Sequence, residues 1–348
     1  MHVLTVHCEY TDLCAYLEGM RQSLLHRLAP GLLVVMWSSG FVGAALAAPV
    51  APSTTTLLWR YVVAAPVMVV IVLALRRRYR WRYVRREVVL GVLGQAGYLY
   101  GVFRAVEEGL PAGTAALLAS LQPALVAVVL AATGRGGSGL RQTLGLAVGF
   151  AGVALAVGPD AVAGTGIAGA LWALGGMLSL SAATLLGTLW PAPSAPDGHE
   201  HDVLDSLAVQ SVVTLVLFAV VAFAAGEAAP PAEPRFWLAV VWLVVLAFAG
   251  GYGLYLYVLR TRGPVAVSTW LYLTPAVSAV WAWAMFGEAL PLLTIAGFAV
   301  SLTGVLLARP SGPRGATPSS GPADDDDRPA PPPRSPGRPA SRPARAAR

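Results

Sequence analysis

Charge is scarce in this sequence, and one cationic residue is missing from it. Only 12% of the 348 residues are charged, and all 24 basic residues are arginine because there is no lysine. In a soluble domain about a quarter of the residues are charged. Hydrophobic residues make up 56% of the chain and the mean hydropathy is +0.64. This composition predicts a multi-pass membrane protein, and the lysine-free, GC-rich residue usage is typical of bacterial coding bias.

Cysteine and the motifs of enzyme chemistry are also nearly absent. Cys8 and Cys14 are the only cysteines and both precede the first apolar run, so neither a disulfide framework nor a zinc site is predicted. The sequence has no dinucleotide fingerprint, phosphate loop or nucleophile motif. Residues 199–202 (HEHD) lack other convergent metal ligands and are interpreted as a solvated loop. We expect no enzyme activity, no cofactor and no bound metal.

Acidic residues avoid the apolar runs. Glu107, Glu108, Glu227 and Glu288 all lie in or next to loops, so no carboxylate is predicted inside a span. An intramembrane enzyme would need clustered His, Asp or Glu within its spans, which argues against that class. A proton-coupled antiporter usually keeps a membrane-embedded carboxylate, so facilitated diffusion or exchange becomes more credible.

Ten apolar runs fill most of the chain. They are residues 30–48, 55–75, 88–106, 111–132, 140–157, 167–190, 207–225, 236–259, 264–286 and 290–308. Each has about the length that a helix needs to cross a hydrocarbon core roughly 30 Å thick. Only helices satisfy their own backbone hydrogen bonds in lipid within one such segment. The predicted fold class is therefore all-α integral membrane, with ten transmembrane helices.

The last two runs repeat an earlier part of the chain. A shift of 152 positions places residues 263–308 on residues 111–156 without a gap. The residues that match and are least expected by chance are Pro275 with Pro123, Gly297 with Gly145, and Gly304 with Gly152. An internal repeat of this length in an apolar chain is typical of a transporter built from two similar halves. We predict five-helix repeats over residues 30–157 and 158–308.

Arginine placement predicts the orientation. Residues 76–87 carry seven arginines, and Arg135 and Arg141 flank the loop after the fourth run, so both loops are expected to be cytoplasmic. Loops at equivalent places in the second half have the opposite arginine content. This is expected because, with five spans in each half, the two halves cross the membrane in opposite directions. Both termini are then cytoplasmic. The arginines beside the spans explain the net charge of +6 without nucleic acid.

The flanking segments look unlike the spans. Residues 1–29 do not have the pattern of a signal peptide, and Met20 is an alternative start to Met1. Residues 309–348 are rich in proline and arginine, have no apolar periodicity, and are predicted to be a disordered cytoplasmic tail. This tail either keeps the chain soluble or contacts anionic lipid headgroups.

Six short segments carry a family resemblance: residues 37–41 (WSSGF), 58–61 (LWRY), 115–123 (AALLASLQP), 271–275 (LYLTP), 287–290 (GEAL) and 296–308 (AGFAVSLTGVLLA). Together they resemble the EamA family of the drug/metabolite transporter superfamily. The likeness covers about residues 30–308 and departs from the family at residues 134–139 (GRGGSG), where a Gly-Glu turn is usual. The resemblance implies ten helices in two inverted repeats and a bacterial inner-membrane exporter of a small metabolite, such as an amino acid or a related amphipathic compound. Uptake or exchange is the alternative, and a non-transporting membrane scaffold is a third hypothesis.

Polar and aromatic residues near the middle of spans are the candidates for a solute cavity, since inverted-repeat transporters bind solute near the bilayer midplane. The candidates are Trp37, Ser38, Arg60, Gln95, Tyr98, Gln122, Pro123, Tyr252, Trp270, Tyr272, Thr274 and Pro275. Hydrogen bonding between helices would explain each of them equally well. Each proline frees a backbone carbonyl on the preceding turn, which suits a cavity wall.

Two further features allow more than one interpretation. Arg60 lies five residues into its run, so it either faces an aqueous cavity, where it could attract a carboxylate or act in gating, or snorkels to the interface. The small residues of the fifth and tenth runs, from Gly145 and from Gly297, let helix backbones approach closely. They predict either packing of the two halves or a homodimer contact. The remaining expected partners are the lipid bilayer and a small-molecule substrate.

Overall fold

The structure is a computed structural model that describes residues 26–134, 140–162, 166–196, 200–288 and 290–308. These residues form ten helical segments: α1 (His26–Ala47), α2 (Ser53–Ala74), α3 (Trp81–Glu107), α4 (Ala112–Ala132), α5 (Leu140–Val162), α6 (Ile167–Leu189), α7 (Val203–Ala225), α8 (Pro234–Gly263), α9 (Thr274–Phe286) and α10 (Leu292–Ala308). Residues 264–271 are also helical and join α8 to α9 after a non-helical backbone angle at Gly263. The predictions for most of residues 1–29, for the tail and for His199 lie outside the described residues.

Seven of these helices are long and apolar enough to cross a membrane, namely α1, α2, α3, α4, α6, α7 and α8. Within the described residues, α5 and α10 contain shorter apolar stretches, Thr143–Gly158 and Leu292–Leu307. The ninth predicted run is divided between residues 264–271 and α9. The structure is therefore that of an all-helical, multi-pass membrane protein.

Two buried carboxylates lie near the starts of helices that are long enough to cross a membrane. Helix α3 begins at Trp81, two turns before the apolar run that predicted it, and it includes Glu87. Glu87 is completely buried, pairs with Arg86 and accepts a hydrogen bond of 2.7 Å from Gln210 Nε2. Asp205 is likewise buried within the first turn of α7. Hydropathy does not predict the burial of these two residues, because hydrogen-bond donors that are distant in sequence satisfy them, Gln210 for Glu87 and Tyr79 for Asp205.

The polar contacts between helix ends fall into two groups. At the first, which we name the arginine end, Arg77 and Arg260 each lie 3.3 Å from a carboxylate oxygen of Asp202. Arg86 also donates a hydrogen bond of 2.9 Å to the carbonyl of Gly187, near the end of α6. The arginine end therefore joins the loop before α3 to the ends of α6 and α8 and to the start of α7.

The opposite set, which we name the glutamate end, is held by two carboxyl-bearing residues. The Ser53 backbone N–H donates to Glu107 at 2.9 Å, and the Thr55 hydroxyl donates to the Glu227 carbonyl at 2.6 Å. Arg235 donates to the Leu46 carbonyl at 3.1 Å, which joins the end of α1 to the start of α8. Helix α1 therefore runs towards the glutamate end, whereas α6, the first helix of the second half, runs towards the arginine end.

The repeat in the sequence has a counterpart in irregular backbone. Helix α4 is interrupted at Ser120 and Leu121, and residues 272–273 interrupt the helical chain before α9, which are equivalent positions under the shift of 152. At both places the N–H of the second residue bonds to the carbonyl three residues earlier, Leu121 to Leu118 at 3.2 Å and Leu273 to Trp270 at 3.0 Å. The proline that follows each break cannot donate a backbone hydrogen bond, which explains the interruption.

A second pair of irregular segments was not predicted. Helix α3 contains a π-helical stretch at Val92–Gly97, and α8 contains another at Leu243–Gly250. The shift of 152 places the first of these on residues 244–249, inside the second. Such insertions into α-helices occur frequently at functional sites.

Helices α5 and α10 pack through their glycines. A Cβ atom added at Gly152 would lie 2.3 Å from the backbone nitrogen of Ser301, and one at Gly304 would lie 2.3 Å from that of Gly149. Only glycine permits such an approach of two backbones. The small-residue faces therefore pack against each other within one chain, and a homodimer contact is not needed to explain them.

Candidate functional site

A cavity of about 340 Å³ lies where the irregular segments converge. Seven predicted candidates line it: Trp37, Tyr98, Gln122, Pro123, Tyr252, Tyr272 and Thr274. Its wall includes Ser120 and Tyr272 from the two breaks and Gly94 from the π-helical stretch of α3. Backbone that departs from the α-helix is tolerated at membrane depth where it is buried in protein or lines a cavity. Residues from both halves form this wall.

A smaller compartment of about 50 Å³ shares part of that wall. Trp37, Phe41, Tyr98 and Tyr252 line both spaces, and the smaller one also contains Arg60. Ala247, from the π-helical stretch of α8, completes the set of irregular segments around the two spaces. Arg60 is thus placed beside the larger cavity.

Arg60 is 4% exposed, which decides between the two interpretations of its position in favour of the cavity. Its guanidinium carbon lies 5.6 Å from the centre of the Tyr61 ring, and its Nε has no hydrogen-bond partner among the described residues. Snorkelling to the interface would have left the charged group exposed. The arginine instead sits buried next to aromatic rings.

Aromatic rings form one side of the cavity. The ring centre of Trp37 lies 5.3 Å from that of Tyr252 in an edge-to-face arrangement and 5.7 Å from that of Tyr255. Phe248 continues the cluster, since its ring centre is 5.5 Å from that of Tyr252. Edge-to-face contacts hold aromatic side chains in fixed orientations, so this side of the cavity is preorganised.

Polar groups also line the cavity, next to the two breaks. Gln122 donates a hydrogen bond of 2.9 Å to the Thr184 hydroxyl of α6. Thr274 is 5% exposed, and its hydroxyl has no hydrogen-bond partner among the described residues. Gln122 and Thr274 occupy equivalent positions in the two halves, so each half contributes one polar side chain next to its proline.

Four predicted candidates do not line the cavity. Ser38 is buried and its hydroxyl donates to the Thr274 carbonyl at 3.3 Å, while Gln95 accepts a hydrogen bond of 3.1 Å from Thr214. Both hydrogen bonds join different helices. Pro275 lines a separate apolar cavity of about 370 Å³, and Trp270 is half-buried outside the walls of both cavities.

Comparison with known protein families identifies the family of this chain. The model of the EamA-like transporter family matches residues 31–158 and, a second time, residues 167–309. The chain belongs to the EamA-like transporter family. The family model thus matches the chain twice, and both matches agree with the family resemblance of the motifs.

Solved structures support the fold of this EamA-like chain. One, described only as the crystal structure of a protein, is 22% identical and has a TM-score of 0.55. The match covers 81% of this chain and 95% of that chain. No curated protein matches the chain. Membership of the EamA-like family indicates a membrane transporter-like protein rather than an enzyme.

Proposed function

We propose that this chain is a secondary transporter of the bacterial inner membrane that exports a small metabolite, an amino acid or a related amphipathic compound, by alternating access. The observation that carries the proposal is the cavity of about 340 Å³, which residues of both halves line, and which together with the smaller compartment beside it brings all four irregular segments close to one place. In inverted-repeat transporters the solute binds at such a junction, next to interrupted helices. Outward direction and the solute class rest on the family resemblance.

The proposed topology has ten spans in two inverted five-helix repeats, with residues 30–157 and 158–308 as the halves. It is supported by the opposite directions of α1 and α6 between the glutamate end and the arginine end. The seven arginines of residues 76–87 support a cytoplasmic arginine end, and ten spans then leave both termini on that side. Each half then contributes one interrupted helix and one π-helical stretch.

Alternating access requires that each end can open, and the polar contacts at the arginine end are suited to reversible closure. The Asp202 carboxylate forms ion pairs with Arg77 of the first half and Arg260 of the second half. The Tyr79 hydroxyl donates a hydrogen bond of 3.0 Å to Asp205. Burial, together with this hydrogen bond, raises the pKa of Tyr79, so its hydroxyl stays a donor at neutral pH. Partly exposed ion pairs contribute only about 0 to 1 kcal/mol each, which leaves the closed state easy to open.

A metabolite comparison tests the proposed function. Intracellular and extracellular pools are measured in cells that overexpress the protein and in cells that lack it. An exporter lowers the intracellular pool of its solute and raises the extracellular pool, whereas an uptake carrier does the reverse. Gln122→Ala and Arg60→Ala should each weaken the difference because both side chains line the proposed path. Identical pools in overexpressing and deletion cells would contradict transport.

The same comparison separates the alternatives. Uptake or exchange predicts pools that move in the opposite direction or depend on a second solute. A non-transporting scaffold predicts a phenotype that Gln122→Ala and Arg60→Ala leave unchanged.

A further inference from the structure

Arg60 is a buried cation for which the described residues provide no counter-charge. Ion pairs among those residues use other arginines, namely Arg77, Arg86, Arg104 and Arg260. The walls of the two adjacent spaces contain no aspartate or glutamate. A buried arginine without a partner is costly, because burial removes the water that would solvate its charge. The contact with the Tyr61 ring offsets only part of this cost.

The surroundings of Arg60 have the composition of a binding site. Trp37, Tyr98 and Tyr252 lie between the small compartment that holds Arg60 and the larger cavity, since they line both. A solute in the larger cavity can therefore direct one end towards the guanidinium and place the rest against aromatic faces. The unpartnered Nε shows that the hydrogen-bonding capacity of Arg60 is not exhausted by the described residues.

We propose that the cavity selects small monocarboxylate anions with an aromatic or apolar body, and that Arg60 binds the carboxylate. This rests on the proposed function, because it names the class of solute that the carrier moves. A planar guanidinium matches a carboxylate with two parallel charge-assisted hydrogen bonds, and a bound anion neutralises the buried charge. The aromatic body packs against Trp37 and Tyr252, whose relative orientation is already fixed.

The amine of an amino acid would be less well accommodated than its carboxylate. With no acidic side chain on either wall, an ammonium group would meet aromatic faces and neutral oxygens but no counter-charge, and the positive charge of Arg60 repels it. The site should therefore prefer a simple carboxylate to a zwitterion, and a zwitterion to an amine.

Four ligands of similar shape test this order by calorimetry on the purified full chain in lipid nanodiscs. They are phenylacetate, its neutral isostere phenylacetamide, the zwitterion L-phenylalanine and the cation phenethylamine. Phenylacetate should bind about 10- to 100-fold more tightly than phenylacetamide, since each charge-assisted hydrogen bond contributes about that factor. Equal affinity for the acid and the amide would overturn the proposal. A titration with sodium chloride tests whether the site binds an inorganic anion instead. Chloride binding as tight as that of phenylacetate would also overturn the proposal.

Substitutions assign the effect to one side chain. Arg60→Gln should lower the affinity for phenylacetate by about 10- to 100-fold and leave that for phenylacetamide nearly unchanged, whereas Arg60→Lys should retain part of the preference. Arg82→Gln removes the same charge at an exposed position and should bind as the unaltered chain does. If Arg60→Gln fails to fold, the ligand series with the unaltered chain and Arg60→Lys still decides the outcome.

Measuring flux into proteoliposomes distinguishes a failure of this proposal from a failure of the proposed function. Phenylacetate that binds through Arg60 but does not cross the membrane would contradict transport and leave the anion site standing. Flux of another solute, without preference for carboxylates, would support transport and overturn the anion site.

Discussion

Gly152→Ala should destabilise the protein by about 1 to 3 kcal/mol and lower the midpoint of its thermal unfolding. The added Cβ would lie 2.3 Å from the Ser301 backbone nitrogen and 2.7 Å from the Gly297 carbonyl oxygen. Neither backbone atom can rotate away as a flexible side chain could, so α5 and α10 must separate. The midpoint of thermal unfolding in detergent measures the effect.

Gly158 provides a matched control on the same helix. A Cβ added there would meet no atom within 4 Å, so Gly158→Ala tests the helix propensity alone. It should raise the unfolding midpoint slightly, because alanine favours a helix over glycine by about 0.8 to 1 kcal/mol. If both substitutions shifted the midpoint by the same amount and in the same direction, the close packing of α5 against α10 would be refuted.

Ala119→Trp should abolish transport in a protein that still folds. Ala119 lies just before the break in α4 and lines the larger cavity, where an indole would occupy the space proposed for the solute. We expect the flux of the solute found by the metabolite comparison to fall at least about tenfold, which corresponds to a loss of roughly 1.4 kcal/mol. The measurement is flux into proteoliposomes containing equal amounts of folded protein.

Val70→Trp is the control for adding an indole. Val70 is 64% exposed on α2, where a membrane protein of this topology would face lipid, so flux should be unchanged. Wild-type flux in Ala119→Trp would show that the solute does not pass through this cavity.

Local sequence signals predicted the parts of the fold that depend on local chemistry. Pro123 and Pro275 marked two interruptions, which the structure places directly before them, because a missing N–H acts on the turn that precedes it. The glycines of the fifth and tenth runs indicated close helix packing for the same reason. The shift of 152 depended on these residues, and both matches to the EamA-like family agree with it.

Features that depend on distant partners could not be predicted. Glu87 is buried, and Gln210, far along the chain, donates a hydrogen bond to it. The π-helical stretches contain no proline, and hydropathy does not distinguish them from ordinary helix. Trp37 and Ser38 are neighbours in sequence, yet only Trp37 reaches the cavity, since Ser38 turns towards the Thr274 carbonyl.

Arg60 likewise combines a property that the sequence predicts with one that depends on distant residues. Its distance from the start of the apolar run allowed both a cavity and an interfacial position, and the burial of its side chain decides for the cavity. That burial depends on Tyr98 and Tyr252, which come from two other helices. Sequence could identify the charge, but only the packing of four helices, α1, α2, α3 and α8, determines what the charge faces.

The most direct test of the account is the accessibility of a thiol at the seam of the two halves. Ser120→Cys, in a chain whose native Cys8 and Cys14 are replaced by serine, is exposed to a membrane-impermeant thiol reagent in right-side-out and in inverted vesicles. The account predicts labelling from both faces of the membrane, slowed by the transported solute. Labelling from one face only, or at a rate that the solute leaves unchanged, would contradict it.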